Sequence, residues 1–518
     1  MVAGPEGAHL GGGAPVGGAE KGGALSTTPS SDKPTAGGYT ELRTGRLSVG
    51  DTVAQSLGFV APVMGVAYLT PLIASGAGGA TPLAVLLGGI GVLVIGLTVA
   101  QFARKYSHAG SIYEYISRTA GPFPGFLAGW VYMVSAMMLF AAVLPGIGGF
   151  VQGIFAAHNI TVSWVPFALI ALVISFALQY VDVRLATRVQ LWIIFIASAV
   201  ILVFALYVII RGGADGNGLW PFKISSSPTG LTGIGYGLIF SFLMYSGFEA
   251  SAVLSEETRD AKRVIAVTVL AAVGIIIAYF VITIYAEAIS FGQKAASEKW
   301  ATDATPLFTM GAKYGGTWLV DVLSIAAVVD ALAVSVATCV TFTRMLYALS
   351  RDGILPRVFS HTHPKHKTPY IALYTAAVLG LVFIALTWIF WHNAPADGPP
   401  TAIIGFSFGG GTGGLGLILI YLALSIAGFT LSWNGIWPLR IIVPLIGIVL
   451  TAFALKVSLV PVPPAPAKYM PYTMGAFIVI GIIVGLIARG RRVPAMLSVD
   501  AQVKPIAEGL DHPVDLTR

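Results

Sequence analysis

Charged residues and cysteines are scarce in this sequence of 518 residues. Only 10% of its residues are charged, whereas soluble globular domains carry about 25%. This shortage excludes an ordinary soluble enzyme and a nucleic-acid-binding module. The single cysteine, Cys339, excludes internal disulfides and any cysteine-based metal cluster. The sequence predicts no cofactor.

Apolar residues are abundant instead and make up 56% of the chain. They form runs of roughly 18–28 residues that alternate with short polar loops, and each run can cross a ~30 Å hydrocarbon core as a helix. The pattern predicts an all-α protein embedded in a lipid bilayer. We expect about twelve spans, at 53–77, 82–104, 123–154, 162–180, 186–210, 229–256, 263–290, 316–350, 369–391, 401–430, 435–458 and 470–488.

The two ends of the chain differ from this membrane domain, which we assign to residues 51–490. Residues 1–50 are rich in Gly, Ala, Ser and Pro and are predicted to be a disordered tail. Residues 491–518 are predicted to be a short polar tail. Cytoplasmic loops carry an excess of Lys and Arg, so we expect a plasma-membrane protein with both termini in the cytoplasm. In that topology only seven of the 30 Lys and Arg residues lie in outer loops: Arg211, Lys223, Lys294, Lys299, Lys313, Lys456 and Lys468.

The first span carries helix-breaking residues at its middle. Pro62 cannot donate to the helix ladder, and Gly65 has little helix propensity. Irregular backbone in lipid is tolerated only where it is buried or lines a cavity, and such breaks in two halves of a chain indicate a transport site. We predict an unwound stretch at 61–65. The free amides of 64–66 would then favour a carboxylate.

The sixth span has a similar interruption. Gly247 lies mid-membrane, preceded by Ser246 and followed closely by Glu249. A helix that ends near Ser246 would free the carbonyls of Leu243 and Ser246 to accept from an ammonium group. The two breaks lie five spans apart, as a five-plus-five inverted repeat requires. The alternative is that both are simple kinks, since Gly and Pro are common in transmembrane helices.

Three stretches resemble one family of membrane proteins. Residues 103–115 combine a basic end with a Gly-x-x-Tyr pattern, and residues 247–263 read Gly-Phe-Glu, then Glu-Glu-Thr, then Lys-Arg. Residues 344–356, which close span eight, form the third. Together they resemble the amino acid–polyamine–organocation (APC) superfamily of secondary transporters. The resemblance implies ten core helices in two inverted repeats, with discontinuous helices 1 and 6, plus two peripheral helices.

The same resemblance implies a function and a site. The protein would import or exchange an amino acid or related amine by alternating access, coupled to H+ or Na+, and would not be an enzyme. The carboxylate would bind at Met64–Val66, and the ammonium at carbonyls of Pro62, Leu243 and Ser246. The aromatics Phe242 and Tyr245 would stack over substrate or only pack. The full predicted substrate site comprises Pro62, Val63, Met64, Gly65, Val66, Tyr132, Met133, Ala136, Phe242, Leu243, Tyr245, Ser246, Gly247, Ser335 and Thr338.

The chain departs from the family pattern at two places. Many members have Gly-Ser-Gly in the first break, whereas this chain has Met64-Gly65-Val66 and so lacks a hydroxyl contact to the carboxylate. Some members carry a lysine in span five that occupies a sodium position. Residues 193–199 contain no lysine, which leaves the coupling ion open.

Two carboxylates within the spans are candidates for ion coupling. Insertion of a carboxylate at the bilayer centre costs about 2.5–3.5 kcal/mol of free energy on insertion scales, so a carboxylate found there usually has a function. We expect Glu249 to carry the coupling proton, the alternative being a structural carboxylate held by backbone amides. Asp330 would meet an amine or cation, or a polar partner that the sequence does not identify.

Sodium coupling is the alternative to protons. Its ligands would be carbonyls of Ala61 and Met64 with hydroxyls of Ser335 and Thr338, although such hydroxyls also bond to the preceding helical turn.

A channel or an amino-acid sensor is a second alternative to a proton-coupled transporter. A membrane-embedded enzyme would need paired Asp motifs or a His/Asp cluster, and the spans have neither.

Overall fold

The computed structural model describes most of the chain: Leu42 and residues 45–106, 111–303, 305–392, 400–431, 437–460 and 467–490. The predicted tails, residues 1–50 and 491–518, therefore lie outside the described residues, except for Leu42 and residues 45–50. Of residues 45–50, only Leu47 is buried, and its amide donates to the Glu257 carbonyl at 2.9 Å.

The described residues are helical and contain no strand, only an isolated bridge between Leu47 and Thr258. The α-helices are α1 (Val49–Val60), α2 (Pro62–Met64), α3 (Thr70–Ala77), α4 (Thr81–Lys105), α5 (Ile112–Ala120), α6 (Pro122–Ala157), α7 (Val165–Val181), α8 (Val183–Arg211), α9 (Leu231–Met244), α10 (Ala261–Phe291), α11 (Gln293–Glu298), α12 (Pro306–Gly315), α13 (Thr317–Arg351), α14 (Tyr370–Trp391), α15 (Thr401–Ala427), α16 (Trp437–Leu459) and α17 (Met470–Gly490).

These helices confirm an all-α protein with many membrane spans. Among the described residues, nine helical segments are long and apolar enough to cross a membrane, and α7 and α9 are shorter apolar helices. One of the nine runs from Val49 to Lys105 and covers the first two predicted spans. Each of the twelve predicted spans coincides with a helical segment. Large apolar side chains stay exposed on α8, α14 and α17, the faces that lipid would cover.

The buried centre is built from helices that approach closely. Helix α6 packs against both α13 and α15. Small residues let membrane helices approach each other, and the glycines of α15 do so here: a Cβ on Gly413 would lie 2.8 Å from the Ser135 carbonyl, and one on Gly409 would lie 2.7 Å from Ala142. The glycine-rich run of α15 is therefore a packing surface against α6.

The first break lies at Ala61, between α1 and α2. Ala61 has φ 60° and ψ 69°, the left-handed region that non-glycine residues rarely adopt. The residue before a proline is disfavoured in the right-handed helical region, and Pro62 follows directly. The chain then continues through α2, a π-helical turn at Gly65–Leu69, and α3. The first span is therefore interrupted, as predicted, but only at Ala61. The prediction of an unwound stretch over 61–65 is wrong for residues 62–65, which are helical because the chain resumes its helix directly at Pro62.

The second break spans residues 245–249, after α9 ends at Met244. Gly247 has φ 104°, a conformation that favours glycine. The chain continues as a 3₁₀ helix over Ala250–Glu257. Such helices rarely exceed three to four residues, and longer ones often mark a hinge or strain. The second break therefore has an irregular segment on its inner side.

Candidate functional site

The two breaks pack against each other. A Cβ on Gly247 would overlap the ring of Phe59, the α1 residue two positions before the first break. The Ser251 amide, after the second break, donates to Ser56 Oγ of α1 at 3.2 Å. Gly65, after the first break, faces Met244 at the end of α9, whose Cγ would lie 3.2 Å from an added Cβ. The interrupted segments thus form one contiguous centre.

The amides freed at the first break are held by Asp330 of α13. Val63 N and Met64 N donate to Asp330 Oδ2 at 3.1 and 3.0 Å. Met64 is one of the amides expected from the sequence, 64–66, and Val63 is not, because the break is at Ala61, the first residue of the predicted stretch. The Gly65 amide instead donates to the Ala61 carbonyl at 2.9 Å. Asp330 is fully buried, and its Oδ1 atom has no hydrogen-bond partner among the described residues.

Glu249 follows the second break and is fully buried. Tyr421 of α15 donates its hydroxyl to Glu249 Oε2 at 2.6 Å and accepts from the Gly247 amide at 2.8 Å. Tyr421 therefore ties the break to the carboxylate. The Tyr132 side chain also lies beside Glu249, and neither Glu249 Oε1 nor the Tyr132 hydroxyl makes a well-formed hydrogen bond within the described chain.

Of the three carbonyls expected to bind an ammonium group, two already accept a hydrogen bond and one does not. Leu243 accepts from the Ser246 amide at 3.1 Å, and Pro62 shares the Gly65 amide with the Ala61 carbonyl. Both therefore already have a donor. The Ser246 carbonyl has none among the described residues. Of the three predicted carbonyls, Ser246 is the one left open to an ammonium group.

The remaining predicted residues divide into two groups. Tyr132, Met133 and Ala136 of α6 are buried, with Tyr132 beside Glu249. Phe242 is buried too, with its ring centroid 5.9 Å from that of Tyr421. By contrast, Tyr245 donates its hydroxyl to the Val85 carbonyl at 3.1 Å and packs on α4. Phe242 therefore lies near Glu249 through its contact with Tyr421, whereas Tyr245 packs against α4.

The hydroxyls proposed for sodium bond elsewhere. Ser335 Oγ lies 2.6 Å from Ser175 Oγ of α7, and Thr338 donates to the Val334 carbonyl at 2.7 Å. The α13 face that meets α1 instead carries Asp330 and Thr341, since Gln55 Nε2 lies 3.2 Å from Thr341 Oγ1. The alternative interpretation, bonding to the preceding turn, describes Thr338 and also Ser335, whose hydroxyl donates to the Leu332 carbonyl at 2.7 Å.

Glu287 is a third buried carboxylate, which the sequence interpretation did not include. It lies on α10, near Thr70 of α3, is fully buried, and neither of its carboxylate oxygens has a hydrogen-bond partner within the described chain. Its sequence signal was available, because it is a carboxylate within an apolar span, the criterion that selected Glu249 and Asp330. Tyr421 had no comparable signal, since aromatic residues are common in spans.

No basic side chain pairs with these three carboxylates among the described residues. An isolated ionised carboxylate is costly to bury and is either neutralised or paired. The centre around the breaks can therefore take up a proton or a cation at Glu249 or Asp330, and the same holds for Glu287 near Thr70. This is the chemistry that the geometry offers.

A buried ion pair lies at the predicted cytoplasmic end. Glu257 ends the 3₁₀ helix, and its Oε1 lies 3.1 Å from Arg344 Nε, with 3% and 2% of the side chains exposed. Nearby, Arg351 makes a two-pronged contact to Glu256 at 2.8 and 3.0 Å and is 30% exposed. The pairs connect the inner side of the second break to the end of α13.

We expect Arg344→Met to lower the free energy of unfolding by about 3–5 kcal/mol, because it leaves Glu257 buried without its partner. Arg351→Met, the matched control, should cost less, because the Arg351–Glu256 pair is partly exposed and water can solvate the carboxylate left behind. Thermal unfolding of the purified variants in detergent checks both. Adding Glu257→Gln to Arg344→Met should recover part of the loss; equal losses in Arg344→Met and Arg351→Met would contradict this assignment.

The fold and site define the class of protein: a multi-span membrane protein with two paired helix breaks around buried carboxylates. Comparison with known proteins agrees. Residues 47–485 match the family model described as amino acid permease. The chain is 30% identical over 424 residues to an uncharacterized transporter of Mycobacterium tuberculosis, which covers 81% of this chain and 88% of that protein.

Two further relatives have named substrates. The chain is 26% identical over 332 residues to the branched-chain amino acid permease BcaP of Bacillus subtilis, covering 60% of this chain and 68% of the permease. It is also 26% identical over 352 residues to the low-affinity putrescine importer PlaP of Escherichia coli, covering 62% and 72%. The chain belongs to the amino acid permease family of the APC superfamily. Members of this family are transporters and not enzymes, as expected.

Proposed function

We propose that this protein is a secondary active transporter that imports or exchanges an amino acid or related amine, coupled to protons through Glu249. The supporting observation is the position of Glu249, which is fully buried at the second break with one oxygen bonded to Tyr421. It has no basic partner in the described part of the chain. Binding and release of one proton would change the charge at the centre of the protein.

Alternating access follows from the paired breaks. The predicted site residues are nearly all buried, so a substrate enters only when the surrounding helices move apart. Hinges are short irregular segments that absorb changes in φ and ψ. Ala61 and Gly247, both at positive φ and in touching segments, have that character. A movement of one break would therefore displace the other, because the two segments are in contact.

Both substrate classes have support from relatives. One is named as a branched-chain amino acid permease and another as a putrescine importer. The open carbonyl of Ser246 and the unpaired oxygens of Glu249 and Asp330 suit the ammonium group that these two kinds of substrate share. We therefore propose an ammonium-bearing small molecule as the substrate.

Protons are favoured over sodium by the hydroxyls of α13. Ser335 is bonded to Ser175, and Thr338 to its own helix. These hydrogen bonds lead to α7 and to α13 itself, and none of them reaches the Ala61 or Met64 carbonyls of the first break. The buried carboxylates need no rearrangement to take up a proton.

The membrane and orientation are part of the proposal. We place the protein in the plasma membrane with both termini in the cytoplasm, on the distribution of Lys and Arg. The Glu257–Arg344 pair then lies at the cytoplasmic end and closes the inner side of the second break. A closed inner end is one of the states that alternating access requires.

Uptake by purified protein in proteoliposomes tests this function. We expect saturable uptake of at least one member of an amino-acid and amine panel, stimulated by an inward proton gradient and unchanged by sodium. Empty liposomes provide the control. Stimulation by sodium alone would support the sodium symporter, and non-saturating flux a channel. Binding without any uptake would support a sensor, and each of these results would contradict the proposal.

A further inference from the structure

The carboxylate of Asp330 occupies the place where a substrate carboxylate is expected. In the predicted site, amides freed at the first break bind the substrate's carboxylate. In the structure, the Val63 and Met64 amides already donate to Asp330 Oδ2 at 3.1 and 3.0 Å. Pro62 has no amide hydrogen, and the Gly65 amide donates to Ala61. The protein's own side chain thus completes the first break.

A second carboxylate would be poorly accommodated there. Two carboxylates that share a buried site repel each other, and one is forced to take a proton. Burial strengthens the repulsion, because the protein interior screens charges far less than water does. No described basic side chain is paired with Asp330 to offset the repulsion. A zwitterionic substrate would therefore have to displace Asp330 from both amides.

An ammonium group is suited to the same place. Asp330 is fully buried, and its Oδ1 atom has no partner among the described residues. Glu249, at the second break, also has one carboxylate oxygen without a partner among the described residues. Buried carboxylates without partners are stabilised by a cation that donates hydrogen bonds to them. The centre therefore presents carboxylate oxygens that can accept hydrogen bonds, whereas the amides of Val63 and Met64 already donate to Asp330.

We propose that the substrate is a primary amine without a carboxylate, and that its ammonium group binds Asp330 Oδ1. This inference rests on the proposed transport function and narrows its substrate class. Asp330 is then a substrate-binding residue that also holds the first break through its other oxygen. Discrimination against amino acids comes from the repulsion between their carboxylate and Asp330.

Matched pairs of substrates test the inference. Each pair has an amino acid and the amine obtained by removing its carboxyl group: leucine with isopentylamine, and lysine with 1,5-diaminopentane. For at least one pair, we expect the wild-type protein in proteoliposomes to take up the amine at least about tenfold faster than the amino acid, which corresponds to about 1.4 kcal/mol. Faster uptake of the amino acids in both pairs would overturn the inference and leave the proposed transport function intact. No uptake of either member, with no uptake across the wider panel, would contradict both.

Variants of Asp330 make the test specific. Asp330→Asn keeps an oxygen for the Val63 and Met64 amides but loses the charge, so amine uptake should fall at least about tenfold while thermal unfolding changes little. Asp330→Ala frees both amides and should shift preference toward the amino acid of each pair. The control is Asp321→Asn on the same helix, where the carboxylate is partly exposed and bonds to His158 at 3.0 Å. Unchanged amine uptake by folded Asp330→Asn would overturn the inference.

Discussion

We expect Glu249→Gln to abolish the pH dependence of uptake while the protein stays folded. Wild-type uptake should rise as the external pH falls, because a proton must reach the carboxylate before substrate and proton enter together. Glutamine keeps an oxygen for the Tyr421 hydroxyl, which lies 2.6 Å from Glu249 Oε2, but it cannot carry the proton. One unit of pH difference supports about tenfold accumulation for each coupled proton, and the variant should lose that accumulation.

Uptake in proteoliposomes across a series of external pH values measures this effect. Glu298→Gln, the same change at an exposed position on α11, is the control and should behave as wild type. Thermal unfolding of both variants separates loss of coupling from loss of fold. A folded Glu249→Gln variant whose uptake still follows pH would remove Glu249 from the coupling mechanism.

Gly247→Ala should reduce uptake at least about tenfold, which corresponds to about 1.4 kcal/mol. The backbone at Gly247 has φ 104°, and an added Cβ would overlap the Phe59 ring. A residue held in a sparsely populated conformation costs about 1–3 kcal/mol, and a close-packed interior resists the movement that would relieve the overlap. The change should displace the Gly247 amide from Tyr421 and disturb the contact between the two breaks.

Gly274→Ala is the matched control, because Gly274 lies in α10 with no atom within 4 Å of an added Cβ. It should retain wild-type uptake. Combining Gly247→Ala with Phe59→Ala should restore part of the activity at most, since the overlap is relieved and the backbone strain remains. Wild-type uptake and substrate affinity in Gly247→Ala would show that the second break does not contribute to the site.

The architecture was largely predictable from local physical constraints. A helix in lipid must be long, apolar and internally hydrogen-bonded, so the spans follow from the apolar runs. The breaks follow from single residues, because Pro62 lacks an amide hydrogen and Gly247 tolerates positive φ. Each of these properties belongs to one residue or one segment, and sequence alone displays it.

The pairing of polar groups was not predictable in the same way. Asp330 lies 267 positions from Val63, and Tyr421 lies 172 positions from Glu249, so these contacts depend on how distant helices pack. The break is confined to Ala61, so the amides that donate to Asp330 are Val63 and Met64 and not 64–66, a detail that a sequence pattern does not determine. Glu287 is different, because it is a carboxylate within an apolar span and is therefore costly to bury. The same criterion selected Glu249 and Asp330 but was not applied to span seven.

The measurement that tests the central claim most directly is proton entry driven by substrate. Proteoliposomes containing a trapped pH-sensitive dye and the purified protein would receive external substrate, with no initial pH gradient. We predict acidification of the interior that saturates with substrate concentration, and no acidification with Glu249→Gln. Saturable substrate entry without any acidification in the wild-type protein would contradict proton coupling through Glu249.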